Sequence, residues 1–348
     1  MVGVGSVRKR ARGDRPWTVS VALPGSILSN AQSEILRTYV AGSVARTLAI
    51  FEVDEVVIFD DSVEEKYSDD TLELLLKYLE TPQYLRRHLF PMEARLRNVG
   101  LLNPLDAPHH LREREYLRWR EGVVVEQGFK RAGQGSSSWN SFRANGEKGH
   151  RNLRESHFAD VGWREPVHFG EKKEPIGTRV TIDFGSCPNR PIKEGKLAGR
   201  DEPRRSGGLY WGYRVRRAGK LSTVFENCPF ESGYDFVVGT SERGRSVEDA
   251  NLSVGPFHHL LVVFGGVKGI EHAAMVDDVL VERGIGKDIS TEEIFDEYVN
   301  TCPTQGSRTI RTEEAIPISL TALRPCLVLA DSAAEDDPGK KRPATRLL

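Results

Sequence analysis

Residues 299–323 read VNTCPTQGSRTIRTEEAIPISLTAL, and this stretch joins a strand end, a short loop and the start of a helix. An apolar run closes at Cys302, and Pro303 stops it. Gly306 follows in a loop where the backbone can approach a bound molecule closely. A helix is predicted from Thr312, since Thr is a good N-cap residue and two glutamates follow in the first turn. The stretch therefore predicts a junction that can hold a small polar ligand.

Two segments resemble the motifs of a known enzyme superfamily. Residues 306–315, GSRTIRTEEA, resemble the C-terminal signature of SPOUT-superfamily RNA methyltransferases, above all that of their rRNA uridine-N3 branch. The run LLVVFGGVKG at residues 260–269 is similar to the other cofactor loop of the superfamily, a hydrophobic strand that runs into paired glycines. Similarity in VALPGSILSNAQ, LNPLDAPHH, GLYWGY and GTSERG extends over most of residues 17–325. These stretches resemble a eukaryotic and archaeal SPOUT-domain family whose animal members are described as centromere-associated.

The resemblance implies a fold, a cofactor and partners. The implied fold class is α/β, a SPOUT α/β trefoil-knot methyltransferase domain with an inserted OB-like β-barrel. In that superfamily the last strand, loop and helix pass through an earlier loop, and this knot holds S-adenosyl-L-methionine in a bent conformation. True knots are very rare in proteins, so only the motif supports this one. The resemblance also implies rRNA as substrate, a homodimer that completes its pockets across a two-fold interface, and association with the spindle or kinetochore.

The pattern along the chain predicts two domains flanked by tails. Strands at 17–23 and 53–59, which alternate with a helix from residue 30 and a helix at 72–79, predict a parallel sheet covered by helices. Short strands separated by long polar loops then predict a small inserted β-barrel. The predicted segments are a disordered basic tail at 1–15, the methyltransferase domain at 16–104 and 209–328, the RNA-binding barrel at 105–208, and a second disordered tail at 329–348.

Several shorter segments complete this pattern. Residues 209–215 and 223–226 are predicted as strands, and residues 239–244 as a loop at the end of the next strand. A capping box at Ser290 predicts a helix at 294–298. Because ligands of open parallel sheets collect at strand ends, we expect the 239–244 loop to contact a ligand.

Positive charge is concentrated in the middle of the chain. Residues 101–220 hold 24 Lys and Arg against 15 Asp and Glu, whereas the remainder holds 25 against 35. Taken alone, this pattern leaves an RNA-binding module and a solvated basic surface equally open. Four of the five tryptophans lie here among arginines, as base stacking and phosphate contact require, although Tyr210 and Trp211 are predicted as core. The predicted RNA-binding residues are Arg118, Trp119, Arg120, Lys130 and Arg131.

The resemblance places the cofactor against main-chain groups of three loops, each of which follows an apolar strand. Glycine in such loops avoids a side-chain clash with the ligand. A single glycine pair is a weak signal, since many turns contain one. The predicted contacts of S-adenosyl-L-methionine are Gly239, Thr240, Ser241, Phe264, Gly265, Gly266, Asn300, Thr301, Cys302, Pro303, Gly306, Ser307, Thr309, Ile310, Arg311, Thr312 and Ala315, the last on the adenine side.

Methylation of a uracil nitrogen requires that the base lose a proton and that its negative charge be stabilised. Arg46, Arg308 and Arg311 are the candidates for stabilising this charge. Glu313 is the candidate for removing the proton or for contacting the amino group of the cofactor. The same residues also have simpler explanations, since Arg46 fits an exposed helix position and Glu313 fits a first-turn charge.

Other chemistries find little support in the residues. The four cysteines lie far apart without CxxC spacing, so we predict no zinc site and no disulfide framework. Neither histidine pair, at 109–110 or at 258–259, has the acidic or cysteine neighbours that would complete a metal site. Dinucleotide and P-loop motifs do not occur.

Targeting signals are equally sparse. No apolar run approaches the roughly 18 residues that a membrane span needs, and the first residues lack the apolar core of a secretory signal. We therefore predict an intracellular protein with no membrane partner. It would be nuclear or nucleolar if the basic clusters at 8–10 and 340–343 are import signals, and cytoplasmic otherwise.

The predicted function is that of an S-adenosyl-L-methionine-dependent RNA methyltransferase, which the resemblance directs toward uridine N3 in rRNA. One alternative is a catalytically weak or inactive RNA-binding assembly factor in ribosome biogenesis or at the mitotic spindle. Another is a protein methyltransferase, which would lack salt-dependent RNA affinity.

Overall fold

A computed structural model describes residue 15 and residues 17–62, 70–129, 154–249 and 257–333, with side chains described up to residue 325. The predicted tails at 1–15 and 329–348 therefore fall largely outside the described residues. The strands are β1 Thr18–Pro24, β2 Glu55–Phe59, β3 Trp119–Val125, β4 Glu155–Ser156, β5 Phe158–Asp160, β6 Val167–His168, β7 Glu174–Pro175, β8 Arg179–Asp183, β9 Lys196–Ala198, β10 Arg214–Arg217, β11 Phe236–Ser246, β12 His259–Phe264 and β13 Glu297–Asn300. The helices are α1 Glu34–Ile50, α2 Thr71–Glu80, α3 Arg86–Leu89, α4 Glu202–Gly207, α5 Leu221–Glu226, α6 Gly269–Met275, α7 Asp278–Glu282 and α8 Thr312–Ala333.

The chain divides into two compact units. One unit, here called the insert unit, combines residues 81–93 with residues 106–211. The other, here called the sheet unit, combines residues 15–80, 94–105 and 212–348. The domain boundaries derived from the sequence stay a prediction.

The sheet unit is built on six parallel strands in the order β10-β2-β1-β12-β11-β13. Strands β1, β2 and β12 are buried along nearly their whole length, as expected where helices cover both faces of a parallel sheet. Helix α1 begins after Ser33, whose hydroxyl accepts the backbone N–H of Leu36. The predicted α/β class with a parallel sheet is thus confirmed.

The insert unit contains a curled antiparallel sheet in the order β6-β5-β3-β8-β9, together with the short pair β4-β7. Its core includes Val124, Val161, Trp163, Val167 and Ile182, which are all buried. The predicted β-rich character of this region is confirmed, while its assignment as an OB-like barrel stays a prediction.

Four local predictions are corrected by the structure. Residues 209–215 do not form one strand, because β10 begins only at Arg214 and pairs in parallel with β2. Residues 223–226 lie in helix α5, where Thr223 closes a capping box with Lys220. Ser290 does act as an N-cap, but it opens only the short 3₁₀ turn Thr291–Ile294 before β13 begins.

The fourth correction concerns residues 239–244. They form no loop beyond a strand, because β11 continues to Ser246 and its pairing with β13 shifts register between Thr240 and Arg245. The extra residues therefore form a bulge within the strand.

No helix in the described part of the chain is long and apolar enough to cross a membrane.

Candidate functional site

The sheet unit contains a cavity of about 290 Å³ at the carboxyl ends of β12 and β13 and beside the bulge of β11. Ligands of open parallel sheets bind at this edge. The cavity is lined by Asn30, Thr240, Ser241, Glu242, Arg243, Phe264, Gly265, Gly266, Val267, Lys268, Gly269, Glu271, Asn300, Thr301, Cys302, Gln305, Thr309, Ile310, Arg311, Thr312, Ala315, Ile318 and Ser319.

The turn after β12 is too tight for a side chain at its first residue. A Cβ on Gly265 would lie 2.5 Å from the backbone nitrogen of Ile270 and 2.6 Å from the carbonyl carbon of Gly269. Gly269 itself has a φ of +82°, which favours glycine. These two glycines let the chain turn directly from β12 into α6, so that the turn exposes main chain to the cavity.

The bulge in β11 forms the second wall of the cavity. Gly244 crosses so close to β13 that a Cβ there would lie 2.5 Å from the carbonyl carbon of Val299. The side-chain amide of Asn300 donates to the carbonyl of Glu242 at 2.9 Å and so ties the bulge to the end of β13. Thr240, Ser241 and Arg243 thereby reach the cavity.

The start of α8 forms the third wall. It is hydrogen-bonded to the turn after β12 and to the loop after β13. The Thr312 hydroxyl donates to the carbonyl of Gly265 at 2.9 Å, and the hydroxyls of Thr301 and Ser319 lie 2.7 Å apart. The predicted N-cap is one residue off. Arg311 occupies that position, because its carbonyl accepts the N–H of Ala315 and its own N–H donates to a carboxylate oxygen of Glu314 at 3.0 Å.

The structure brings most of the predicted cofactor residues together around this cavity. These are Thr240, Ser241, Phe264, Gly265, Gly266, Asn300, Thr301, Cys302, Thr309, Ile310, Arg311, Thr312 and Ala315. Four others do not line it, namely Gly239, Pro303, Gly306 and Ser307. Gly239 has a packing role instead, since a Cβ there would lie 2.7 Å from the rings of Phe295 and Tyr298.

Only one of the four candidate catalytic residues, Arg311, lines the cavity. Arg46 donates to the carbonyls of Pro104 and Leu105, at 3.1 and 2.6 Å. Arg308 and Glu313 belong to the loop before α8 and to its first turn, but neither lines the cavity.

Three of the predicted RNA contacts are described, all in the insert unit, and two of these are buried. Trp119 is 4% exposed, and Arg120 is 1% exposed and donates to the carbonyls of Arg112, Glu115 and Val161. Arg118 is partly exposed and binds Asp183 through two hydrogen bonds of 2.8 and 2.7 Å. The structure thus gives Trp119 and Arg120 roles inside the insert unit, and Lys130 and Arg131 fall outside the described residues. Tyr210 and Trp211 are buried as predicted.

Sequence reasoning missed ten of the lining residues: Asn30, Glu242, Arg243, Val267, Lys268, Gly269, Glu271, Gln305, Ile318 and Ser319. Five of them lie in the motifs GTSERG and LLVVFGGVKG, where the predicted contacts stop at Ser241 and at Gly266. Glu271 lies two residues beyond Gly269, so the sequence offers no sign that its carboxylate faces the same space.

The charged lining residues are Glu242, Arg243, Lys268, Glu271 and Arg311. A guanidinium nitrogen of Arg243 lies 3.5 Å from a carboxylate oxygen of Glu271. Nearby, burial raises the pKa of Tyr298 well above its ordinary value, so the phenol stays neutral. The cavity therefore offers main-chain groups, hydroxyls, carboxylates and cationic side chains, and such a lining suits a small zwitterionic ligand.

Within the described part of the chain, no three His, Cys, Asp or Glu residues come together as metal ligands.

Comparison with known proteins places the chain in a family. A family model described as "Putative RNA methyltransferase" matches residues 18–323. The chain is 45% identical over 341 residues to a human protein named 28S rRNA (uridine-N(3))-methyltransferase. The match covers 93% of this chain and 82% of the human protein. The mouse protein of the same name is 44% identical over 340 residues, and the match covers 93% of this chain and 80% of the mouse protein. The Drosophila melanogaster protein of that name is 42% identical over 331 residues, and the match covers 89% of this chain and 62% of the fly protein. With a family model that spans almost all of its described residues, the chain belongs to this family of RNA methyltransferases.

Proposed function

We propose that this RNA methyltransferase transfers a methyl group from S-adenosyl-L-methionine to N3 of a uridine in large-subunit rRNA. The observation that carries the proposal is the cavity at the sheet edge, whose three walls contain the segments that resemble the cofactor loops of the SPOUT superfamily. The names of the human, mouse and fly relatives support the choice of base and of rRNA.

The residues around the cavity fit this cofactor. Main chain at Gly265 and Gly266 and at residues 300–302 offers donors and acceptors for a nucleoside, and Ala315 leaves room for a flat base. The cofactor supplies the activated methyl group when bound. The protein itself then has to orient the acceptor base and help remove the proton from its N3.

Two cations at the cavity fit the acceptor chemistry. Deprotonation at N3 leaves negative charge on the neighbouring uracil oxygens, and cationic donors placed there stabilise it. Arg311 and Lys268 both line the cavity and are exposed at its rim, where a base can reach them. We assign them to this role, and Arg311 is the candidate that the sequence had already supplied.

The insert unit is proposed to hold the rRNA. Its segment 106–211 holds 20 Lys and Arg against 15 Asp and Glu, and such an excess attracts phosphates. Because Trp119 and Arg120 are buried, the contacts are assigned to exposed basic side chains such as Lys173, Arg190 and Arg205.

The test is a methylation assay with the purified chain, tritiated S-adenosyl-L-methionine and large-subunit rRNA. We expect label in one uridine, found as N3-methyluridine by mass spectrometry and as a reverse-transcription stop, because the methyl group blocks the pairing edge. Gly266→Trp should abolish labelling, since even a Cβ there would lie 2.7 Å from a carboxylate oxygen of Asp61.

Three outcomes would speak against the proposal. Label on protein would favour a protein methyltransferase. Label on another atom would reject uridine N3. Salt-dependent RNA binding without cofactor binding would favour the alternative of a scaffold in ribosome assembly or at the spindle. A nuclear location stays a prediction, which imaging of a tagged chain would test.

The SPOUT knot and a homodimer belong to the same proposal. The first turns of α1 expose Ile35, Leu36 and Tyr39 at 46%, 49% and 49%, and such a patch on one helix favours burial by a second copy. We expect Leu36→Glu to convert the protein to a monomer in light scattering and to lower its activity.

A matched control for the dimer is Met275→Glu, which adds the same charge at a 61% exposed position on α6. It should leave the dimer intact. A parent protein that is monomeric at micromolar concentration would contradict the dimer.

A further inference from the structure

Two side chains of opposite charge face the cavity from different elements. Glu271 lies in the first turn of α6, and Arg243 lies in the bulge of β11. Their closest charged atoms are 3.5 Å apart, and the side chains are 24% and 71% exposed respectively. A pair this open contributes little to stability, so both charges are available to a ligand.

The carboxylate of Glu271 occupies space that the absence of a side chain at Gly269 leaves open. Gly269 leaves the space into which the carboxylate folds back, because a Cβ there would collide with Oε2 of Glu271. The position has a φ of +82°, so a glycine serves both the turn and this space.

Close to Glu271 lies the hydroxyl of Tyr298, which completes no hydrogen bond within the described part of the chain. Tyr298 is 8% exposed and stacks on Phe295 with ring centroids 5.5 Å apart. Its Oη is buried beside Ser241 and Glu271, yet it completes no well-formed hydrogen bond with any described residue. Because a buried hydroxyl without a partner is costly, this group can donate to Glu271 once a ligand fixes the carboxylate.

We propose that Glu271 and Arg243 bind the amino-acid end of the methyl donor, with Tyr298 as the residue that positions Glu271. The carboxylate of Glu271 accepts hydrogen bonds from the ammonium group, and the guanidinium of Arg243 donates to the carboxylate. The inference rests on the proposed function, since it specifies how the same cavity recognises its cofactor.

Charge complementarity carries the assignment. The amino-acid end is a zwitterion whose two charges are separated by one carbon, and Glu271 and Arg243 present the opposite charges side by side. Glu313, which the sequence offered for the amine contact, does not line the cavity. Glu242, Lys268 and Arg311 are the other charged groups around it.

The test compares two ligands by calorimetry with the full chain. S-adenosylhomocysteine contains the amino-acid end, whereas 5′-methylthioadenosine retains the adenine, ribose and thioether but lacks that end. We expect Glu271→Gln and Arg243→Gln each to weaken S-adenosylhomocysteine binding by about tenfold. Neither variant should change the affinity for methylthioadenosine.

Tyr298→Phe checks the positioning role. It should weaken S-adenosylhomocysteine binding less than Glu271→Gln does, and it should also leave methylthioadenosine binding unchanged. A purely structural role would move both affinities together. The matched control is Glu282→Gln, the same change at an exposed position outside the cavity, which should alter neither affinity.

The remaining outcomes overturn the inference. Equal weakening for both ligands would assign Glu271 to the ribose or to the fold, and unchanged binding of S-adenosylhomocysteine would remove it from the site. If the parent protein binds neither ligand, the proposed function itself fails, which separates that failure from the failure of this inference alone.

Discussion

Replacing Gly265 with alanine will lower methyltransferase activity by about 100-fold, because displacing a ligand-binding loop by about an ångström commonly has an effect of that size. The new Cβ would lie 2.5 Å from the backbone nitrogen of Ile270, so main chain rather than a flexible side chain has to move. That movement also shifts the carbonyl that accepts the Thr312 hydroxyl, and with it the start of α8. Calorimetry with S-adenosylhomocysteine should show the matching loss of affinity.

Two alanine variants serve as controls for Gly265→Ala. Gly100 and Gly306 have no atom within 4 Å of the space that a Cβ would occupy. Gly100→Ala should therefore be silent. Gly306→Ala tests a position that the sequence assigned to the cofactor and that the structure leaves outside the cavity, and we expect nearly full activity. Normal ligand binding by Gly265→Ala would show that the turn after β12 is not part of the site.

Arg216→Met will destabilise the sheet unit by about 3–5 kcal/mol, since it leaves a buried carboxylate without its cation. Glu55 is 4% exposed, and its carboxylate accepts from the Arg216 guanidinium at 2.9 Å, from Ser20 at 2.8 Å and from Tyr234 at 2.6 Å. The hydroxyls alone cannot replace the lost positive charge. Urea unfolding followed by circular dichroism should report the loss as a lower midpoint.

A second change on the same network sharpens this test. Adding Glu55→Gln to Arg216→Met should recover part of the stability, because no charge then stays buried without a partner. Arg217→Met is the matched control on the same strand, since its side chain is 37% exposed and its ion pair with Glu73 spans 3.8 Å. It should cost no more than about 1 kcal/mol. Equal losses for Arg216→Met and Arg217→Met would contradict the role given to Glu55.

The predictions that succeeded concern residues whose local pattern has one structural solution. The apolar runs of β1, β2 and β12 are long, uncharged and bounded by turn residues, which is typical of buried parallel strands. The strand end before Cys302 was predicted because Pro303 follows it, and the helix from Thr312 because two glutamates lie in its first turn.

The predictions that failed concern short segments whose pattern fits two structures. Residues 223–226 have strand propensity, but Thr223 caps a helix by bonding to Lys220. The 239–244 segment looks like a loop because of its two glycines, yet each glycine is required by a neighbour, Phe295 at one end and Val299 at the other. Such requirements arise from residues that are distant in the sequence.

The sequence by itself determined the class of the fold, three of the segments that line the cavity, and the family, because hydrophobic period, turn residues and motifs are properties of the chain read in order. Only the tertiary structure decided which side chains share the cavity. Glu313 and Arg46 do not line the cavity, whereas Glu271, Arg243 and Lys268 do. Trp119 and Arg120, which were predicted to contact RNA, are buried. The physical reason is that the direction of a side chain depends on the bulge, the tight turn and the packing around it, and these are set by contacts between elements far apart in the chain.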